Sequence, residues 1–439
     1  MRRPDDGTTA PRADSWTRRG FLGATIAAGL AGCAPGDTPD PMAPGETSEP
    51  TADALAADAE RRLASDNIYT RLLGIRPHLP AHGHATALGG SRMPSEVLDA
   101  MREANDYFVM MDELTVSAGA RVAELVNAEA ALVTSGASGG LLLGAAACLT
   151  GTDVEKMRAL PHPTWSRREC LIQKANRYPY DRAIRSAGMV FVEVEGRDQL
   201  MAALGDDTAM IFALPSHDAA LGRETPSNVL SPEELIAIGK NAGVPVMVDG
   251  ASRLPPPTNL TTYNDLGADL VVISGGKGLE GPQSTGILSG RADLIEAARL
   301  QAAPNDHIGR GMKVGKEEII GLVVALERYR SLDHARRRQT WTRKAEYVAR
   351  QLQGIPGLEA TMVATGEEAP YVELQWDEAA IGISRGDLRT TLRRREDRRL
   401  AISTLYGGNR VQTLCMRDGE EVLAARYLRA FFTDEGARS

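Results

Sequence analysis

Three stretches of this 439-residue chain carry side chains that bond-making chemistry can use. The first holds Lys277, in Val271-Val-Ile-Ser-Gly-Gly-Lys-Gly-Leu-Glu-Gly-Pro282. A lysine after a buried apolar run and two glycines sits in a crevice. Loss of water there lowers its pKa and leaves the neutral amine that forms a Schiff base. The second holds Asp249, 28 residues earlier, closing Val244-Pro-Val-Met-Val-Asp249. A carboxylate in that place can hold a protonated ring nitrogen or a metal. The third is Thr134-Ser-Gly-Ala-Ser-Gly-Gly140, ahead of an Ala/Leu helix whose exposed N–H groups and positive dipole end suit a phosphate. Alone this turn says little, because it lacks the lysine of a P-loop and the spacing of a dinucleotide fingerprint. Together the three match what pyridoxal 5′-phosphate (PLP) asks of a protein: a grip on its phosphate, a partner for its ring nitrogen and an amine for its aldehyde.

Such residues need a scaffold that brings distant segments to one edge. Strands are expected at 130–134, 157–160, 189–194, 209–214, 244–249, 270–274 and 286–288, with helices at 137–149, 197–204, 232–242 and 292–301. The apolar runs are continuous rather than alternating, as in strands buried on both faces. An α/β fold with a mainly parallel seven-stranded sheet is therefore expected, with its ligand site beyond the C-terminal strand ends. A helical start at 52–63 precedes this large domain, taken as 52–330. A helical pattern over 316–353, broken by Gly354-Ile-Pro-Gly357, leads into a small α+β domain, so that linking helix and small domain occupy 331–439. Its strands are expected near 371–375, 400–405 and 411–416, and its helices near 385–395 and 419–432.

Residues 1–33 read as an address. Arg18 and Arg19 precede Gly20-Phe-Leu-Gly23 and an uncharged stretch from Gly20 to Gly36, too short and too weakly apolar for a span of about 20 apolar residues. The pair resembles a twin-arginine export signal, with Gly23 in place of its usual lysine. Leu30-Ala-Gly-Cys33 resembles a lipobox, which makes Cys33 the lipidated residue. Residues 34–51 are proline-rich, lack Lys and Arg, and read as a disordered tether. Export by the twin-arginine route to the periplasm, with a lipid anchor in the membrane, is the expectation. The chain as a whole is 43% hydrophobic and 25% charged, which rules out disorder over most of its length. With 50 basic and 58 acidic residues, for a net −8, wholesale nucleic-acid binding has no electrostatic basis. Cys33, Cys148, Cys170 and Cys415 lie far apart, with no metal-ligand spacing.

Residues 246–326 resemble the seryl-tRNA selenium transferase-like family of fold-type-I PLP enzymes, most of all the branch with D-glucosaminate-6-phosphate ammonia-lyase. Ser274-Gly-Gly-Lys-Gly-Leu-Glu-Gly-Pro-Gln-Ser-Thr-Gly286 and Ile308-Gly-Arg-Gly-Met-Lys-Val-Gly-Lys-Glu-Glu318 carry the likeness, supported by Leu88-Gly-Gly-Ser-Arg-Met-Pro94 and 137–153. The resemblance implies that Lys277 joins the cofactor aldehyde, Asp249 pairs with the ring nitrogen, and Ser135, Gly136, Ala137 and Ser274 hold the phosphate. His162, with Trp165 as a rival, falls where such enzymes stack a group on the ring, and His217 falls near the phenolic oxygen. Arg310 and Lys313 match two basic residues near the leaving group, and cations three apart on a helix turn can clamp an anion. Arg92 is a similar candidate. Arg253 departs from the small residues common after the strand-end Asp, and either binds a substrate anion or caps its loop.

The resemblance also implies a homodimer or larger homo-oligomer with residues 283–285 near the neighbouring cofactor. The expected activity is that of a lyase performing α,β-elimination on an amino acid or amino sugar acid. Racemisation and aldol cleavage share its early steps and stay open. Transfer onto seryl-tRNA is disfavoured by the export signal and the lack of a segment resembling the tRNA-binding domain. A non-catalytic PLP-fold binding protein is disfavoured by the intact Lys277, Asp249 and Ser135–Ala137 set. The arginine clusters at 336–338 and 393–399 read as solvated helix faces or subunit contacts, since aromatics for base stacking are scarce nearby. Cys148 and Cys170 read as packing residues.

Overall fold

Aliphatic runs rich in β-branched residues make the strands, and polar caps start several of the helices between them. The computed structural model describes residues 51–64, 66–215, 226–395, 399–403 and 408–433. The signal with Cys33, nearly all of the tether, and His217 lie outside these residues. After β1 (Leu79–Ala81), seven strands build the central sheet. They are β2 (Ala130–Ser135), β3 (Glu169–Gln173), β4 (Val190–Val194), β5 (Thr208–Ala213), β6 (Val246–Asp249), β7 (Leu270–Ser274) and β8 (Thr285–Gly290). Their order is β2-β8-β7-β6-β5-β3-β4. β8 runs antiparallel to both its neighbours and the other pairs are parallel. The C-terminal ends of β2, β6 and β7 therefore share one edge.

Helices cover both faces, which is why β6 and β7 are buried along their whole length. One face packs against Gly136–Thr150 and Ala292–Gln301 through Leu141, Leu294 and Ile295. The other packs against Met111–Val126, Pro232–Ala242 and Lys316–Ser331 through Val122, Leu235 and Leu322. Helix Gly136–Thr150 can approach the sheet closely because of Gly144, where a Cβ would stand 2.7 Å from Met247 Sδ.

A separate hydrophobic cluster holds the small lobe together. It contains β9 (Leu358–Val363), β10 (Tyr371–Trp376), β11 (Leu400–Ile402) and β12 (Asn409–Gln412), with helices His334–Leu352 and Glu420–Thr433. β12-β10-β9 form an antiparallel sheet, and β11 pairs in parallel with β1. Ala59 of helix Ala52–Ala64 and Leu79 of β1 lie in this core. The first described elements thus pack with the last ones.

Two sequence expectations need correction. Residues 157–160 are not a strand: Asp153 caps the helix Val154–Ala159 by accepting from the N–H groups of Glu155 and Lys156 at 3.0 and 3.2 Å. The strand at this point in the order is β3, which opens at Glu169. The expected continuous helix over 316–353 is two, Lys316–Ser331 and His334–Leu352, because Asp333 accepts from the Arg336 N–H and starts a new one. No helix among the described residues is long and apolar enough to cross a membrane.

Candidate active site

Asp249 ends β6 with its carboxylate buried at the sheet edge. One oxygen accepts from the Ala251 N–H at 2.9 Å and the other from the Tyr178 hydroxyl. Burial raises its pKa, against the opposing pull of these two bonds and of Lys277. Tyr178 follows β3, and its ring stacks on Phe212 of β5 with centroids 6.1 Å apart. Burial and the neighbouring carboxylate raise the Tyr178 pKa, so its hydroxyl stays protonated and donates.

Lys277 stands three residues beyond β7, in a turn closed by Gly275 N–H to Thr285 O at 2.9 Å and Glu280 N–H to Lys277 O at 3.1 Å. Burial lowers its pKa and Asp249 partly restores it. Its amine makes no hydrogen bond or ion pair among the described residues. Glu280, which closes the turn, has φ 59°, a left-handed conformation that a non-glycine residue adopts under restraint. The restraint is visible: its carboxylate accepts from Arg328 at 2.8 Å and Arg337 at 2.6 Å, one from each of the two long helices.

The phosphate candidates share this edge. Ser135 ends β2, Gly136 turns the chain with φ 66°, and helix Gly136–Thr150 begins there with no side-chain cap from Ser135. Its first N–H groups are left for a ligand. Ser274 is the last, buried residue of β7. An uncapped helix start, a carboxylate that burial makes short of a cation, and an amine eased toward neutrality fit PLP at its phosphate, ring nitrogen and aldehyde respectively.

A cavity of about 400 Å³ opens over Lys277 between the lobes. His84, Tyr180 and Ser252 line it beside Lys277, with Arg389, Arg393 and Arg410 on the small-lobe side. His84 is held neutral, its pKa lowered to about 3 by burial and then by the charge of Lys277. His82, also lining the cavity, is lowered to about 4 by burial and then by His78, whose Nε2 lies 3.1 Å from its own.

The other expected ligands fall elsewhere. His162 is exposed, bonding through its N–H to Ala159 O at 2.8 Å. It precedes β3 rather than following it, so it lies at the sheet's amino edge, away from Lys277. Trp165 is on the same side, with Lys156 Nζ 5.5 Å from its ring centroid. Arg92 makes a two-bond fork with Glu420 at 3.1 and 3.2 Å and ties its loop to the start of the last described helix. Arg253 pairs at 3.3 Å with Glu368, a cavity-lining residue. Arg310 and Lys313 are exposed in the loop between helices Ala292–Gln301 and Lys316–Ser331, not on a helix turn. Met312 between them lies 3.8 Å from where a Cβ on Gly139 would stand, so the loop abuts the phosphate turn.

Sequence reasoning missed Tyr178, Tyr180, His82, His84, Glu280, Arg389 and Arg410. Tyr178-Pro-Tyr180 follows β3 as a ligand segment should, and correct placement of that strand would have found it. His78-Leu-Pro-Ala-His-Gly-His84 holds three of the seven histidines and was a readable signal.

Comparisons with known proteins identify the family. The aminotransferase class-V family model matches residues 197–381. A 5′-C-glycyluridine monooxygenase-decarboxylase of Streptomyces sp is 33% identical over 360 residues, covering 79% of this chain and 86% of that protein. The D-glucosaminate-6-phosphate ammonia lyase of Salmonella typhimurium is 29% identical over 338 residues, covering 74% of this chain and 87% of the relative. A solved structure of D-glucosaminate-6-phosphate ammonia-lyase superposes with TM-score 0.71 at 27% identity, over 85% of this chain and 100% of that one. L-seryl-tRNA(Sec) selenium transferases are similar as well. With a mostly parallel sheet that sets Ser135, Asp249 and Lys277 on one edge and relatives of this kind, the chain belongs to the aminotransferase class-V family of fold-type-I, PLP-dependent enzymes.

Proposed function

We propose that this protein is a PLP-dependent lyase that eliminates a β-substituent and ammonia from an amino acid or amino sugar acid. The observation that carries this reading is the placement at one sheet edge of the buried Asp249 and of Lys277, whose amine makes no hydrogen bond or ion pair among the described residues. Lys277 would hold PLP through its ε-amine, Asp249 through the ring nitrogen, and Ser135, Gly136, Ala137 and Ser274 through the phosphate. When bound, PLP supplies a sink for the electrons left on a carbon that loses its proton. Tyr178 fixes the Asp249 carboxylate by donating to it. Lys277 Nζ, eased toward neutrality by burial, takes the proton from the carbon beside the substrate's amine. The neutral His84 and His82 allow hydrogen bonding there without adding charge. Borohydride reduction of holoprotein followed by peptide mass analysis tests the assignment, with a phosphopyridoxyl group expected on the Lys277 peptide. Its absence from that peptide rejects the reading. Ammonia and keto-acid release from D- and L-amino acids and amino sugar acids tests the reaction, and inverted enantiomer or an aldehyde product would favour racemisation or aldol cleavage.

A second reading is favoured by the relative at 33% identity, named a monooxygenase-decarboxylase. Oxygen uptake and carbon dioxide release with the same substrates would select it over elimination.

The protein acts, on this reading, as a homo-oligomer with residues 283–285 near a neighbouring site. The exposed apolar side chains Ile68, Tyr69, Leu72, Phe108 and Met110 support a covering copy, and light scattering at monomer mass would oppose it. Delivery by the twin-arginine route with lipidation at Cys33 rests on the sequence of residues 1–33. Arg18→Lys with Arg19→Lys is expected to hold the protein inside the cell, and Cys33→Ser to release it from the membrane. Normal delivery of both variants would reject this address.

A further inference from the structure

With no side-chain bond to steady it, the Lys277 amine is aimed by its backbone. Three successive carbonyls of that backbone are held. Gly275 O accepts from the Gly281 N–H at 2.9 Å, Gly276 O from the Ser91 N–H and hydroxyl at 3.2 and 3.0 Å, and Lys277 O from the Glu280 N–H at 3.1 Å. The left-handed φ of Glu280 is what turns the next N–H, that of Gly281, back onto Gly275. Among the described residues only Asn127 and Glu280 take a left-handed φ without being glycine. Asparagine tolerates it, whereas a glutamate pays in crowding at its Cβ.

A glycine would give the same turn without that strain, so the side chain is the reason for a glutamate here. Each carboxylate oxygen takes one guanidinium, Oε2 that of Arg328 and Oε1 that of Arg337. Arg328 belongs to helix Lys316–Ser331, whose Ile319 and Leu322 pack in the core under the sheet. Arg337 belongs to helix His334–Leu352, whose Ala345, Val348 and Leu352 pack in the small-lobe core. One carboxylate thus spans the joint between the lobes. Arg337 also faces the site, because its charge lowers the pKa of the cavity-lining His84 after burial and Lys277. Resting on the assignment of Lys277 to the cofactor, we propose that Glu280 is a positioning residue: clamped by Arg328 and Arg337, it fixes the turn that aims Lys277 and makes that aim depend on the seating of the small lobe.

The test is read on holoprotein well below its melting temperature. Visible circular dichroism per bound cofactor reports how firmly Lys277 sets the group. Glu280→Gln and Arg337→Gln are each expected to keep the reducible adduct on the Lys277 peptide, to weaken that signal about twofold, and to lower kcat about tenfold with KM within about twofold. Combined, they should lose little more than either alone, because they break one contact. Glu280→Asp keeps the charge on a residue type that tolerates left-handed backbone, and should recover part of the loss. Leu352→Ala, in the small-lobe core, should lower the urea midpoint while leaving signal and kcat as in wild type. Signal and kcat unchanged in Glu280→Gln, equal losses in Leu352→Ala, or fully additive losses in the double variant overturn the positioning role. If Glu280→Gln does not fold, Arg337→Lys, which keeps the charge without the fork, decides alone, and an unchanged signal counts against. A wild type without visible absorbance of bound cofactor sinks the Lys277 assignment instead. Hydrogen exchange over residues 275–281 of the apoprotein, expected to be about tenfold faster in Glu280→Gln, then still judges the clamp, and an unchanged rate rejects it.

Discussion

Two depressions of nearly equal size lie at opposite edges of the central sheet, about 390 Å³ at the amino edge and about 400 Å³ at the carboxyl edge. In the first, Arg291 bonds Asp269 at 2.9 Å and Asp293 at 2.6 Å, and Asp269 also accepts from the Val246 N–H at 2.8 Å. The partners settle one another: Asp293 raises the Arg291 pKa, and Arg291 lowers that of Asp293. At the second, Lys277 lines the cavity and Asp249 ends the neighbouring strand, and burial moves both the other way, raising Asp249 and lowering Lys277. Volume does not mark the site. Ionisable groups held short of their counter-charges do.

The sharpest way to break this contrast is Lys277→Ala, expected to abolish the reducible adduct and to lower turnover by about 10⁴-fold. Adduct and turnover surviving together would place the chemistry elsewhere. Asp249→Asn, which keeps shape and removes charge, should lower turnover by about 10²-fold, read as kcat with cofactor saturating. Glu280→Ala removes two partly buried ion pairs while leaving the left-handed backbone, and should destabilise by about 2 kcal/mol in urea unfolding. Glu280→Gly, free of the backbone strain, should lose less.

The apoprotein offers a signed test. The folded Lys277 value lies below its ordinary 10.5, so between the two the unfolded chain holds more protons and stability rises with pH. The folded Asp249 value lies above its ordinary 3.8, so in that window stability falls as pH rises. Lys277→Met and Asp249→Asn should each flatten their own limb in thermal melts and raise the apoprotein Tm where the buried charge was borne. The smallest effect belongs to the other edge. Arg291→Ala, at a surface pair, should lose at most about 1 kcal/mol and leave turnover unchanged.

Most of the central sheet was legible because its strands are apolar runs set between helices, and helices 232–242 and 292–301 fall where their patterns begin and end. β3 was not, since Glu-Cys-Leu-Ile-Gln is short and polar at both ends while Met157 imitates a strand inside a capped helix. That one slip hid Tyr178, which follows β3. Asp249 and Lys277 were readable as strand-end residues. Arg389 and Arg393 were not separable from surface arginines, because only the folded small lobe turns one face of Leu388–Arg394 toward the cavity. Glu280 left no trace either, as its partners lie 48 and 57 residues away.

The pairing of β1 with β11 has a consequence during synthesis. The wall that bears Lys277 comes from the middle of the chain, whereas the wall that bears Arg410 needs an early strand to wait for a late one. A nascent chain on the ribosome would thus own the lysine long before it owns a finished pocket. The small-lobe wall of the cavity is completed last, after the final described helix has emerged.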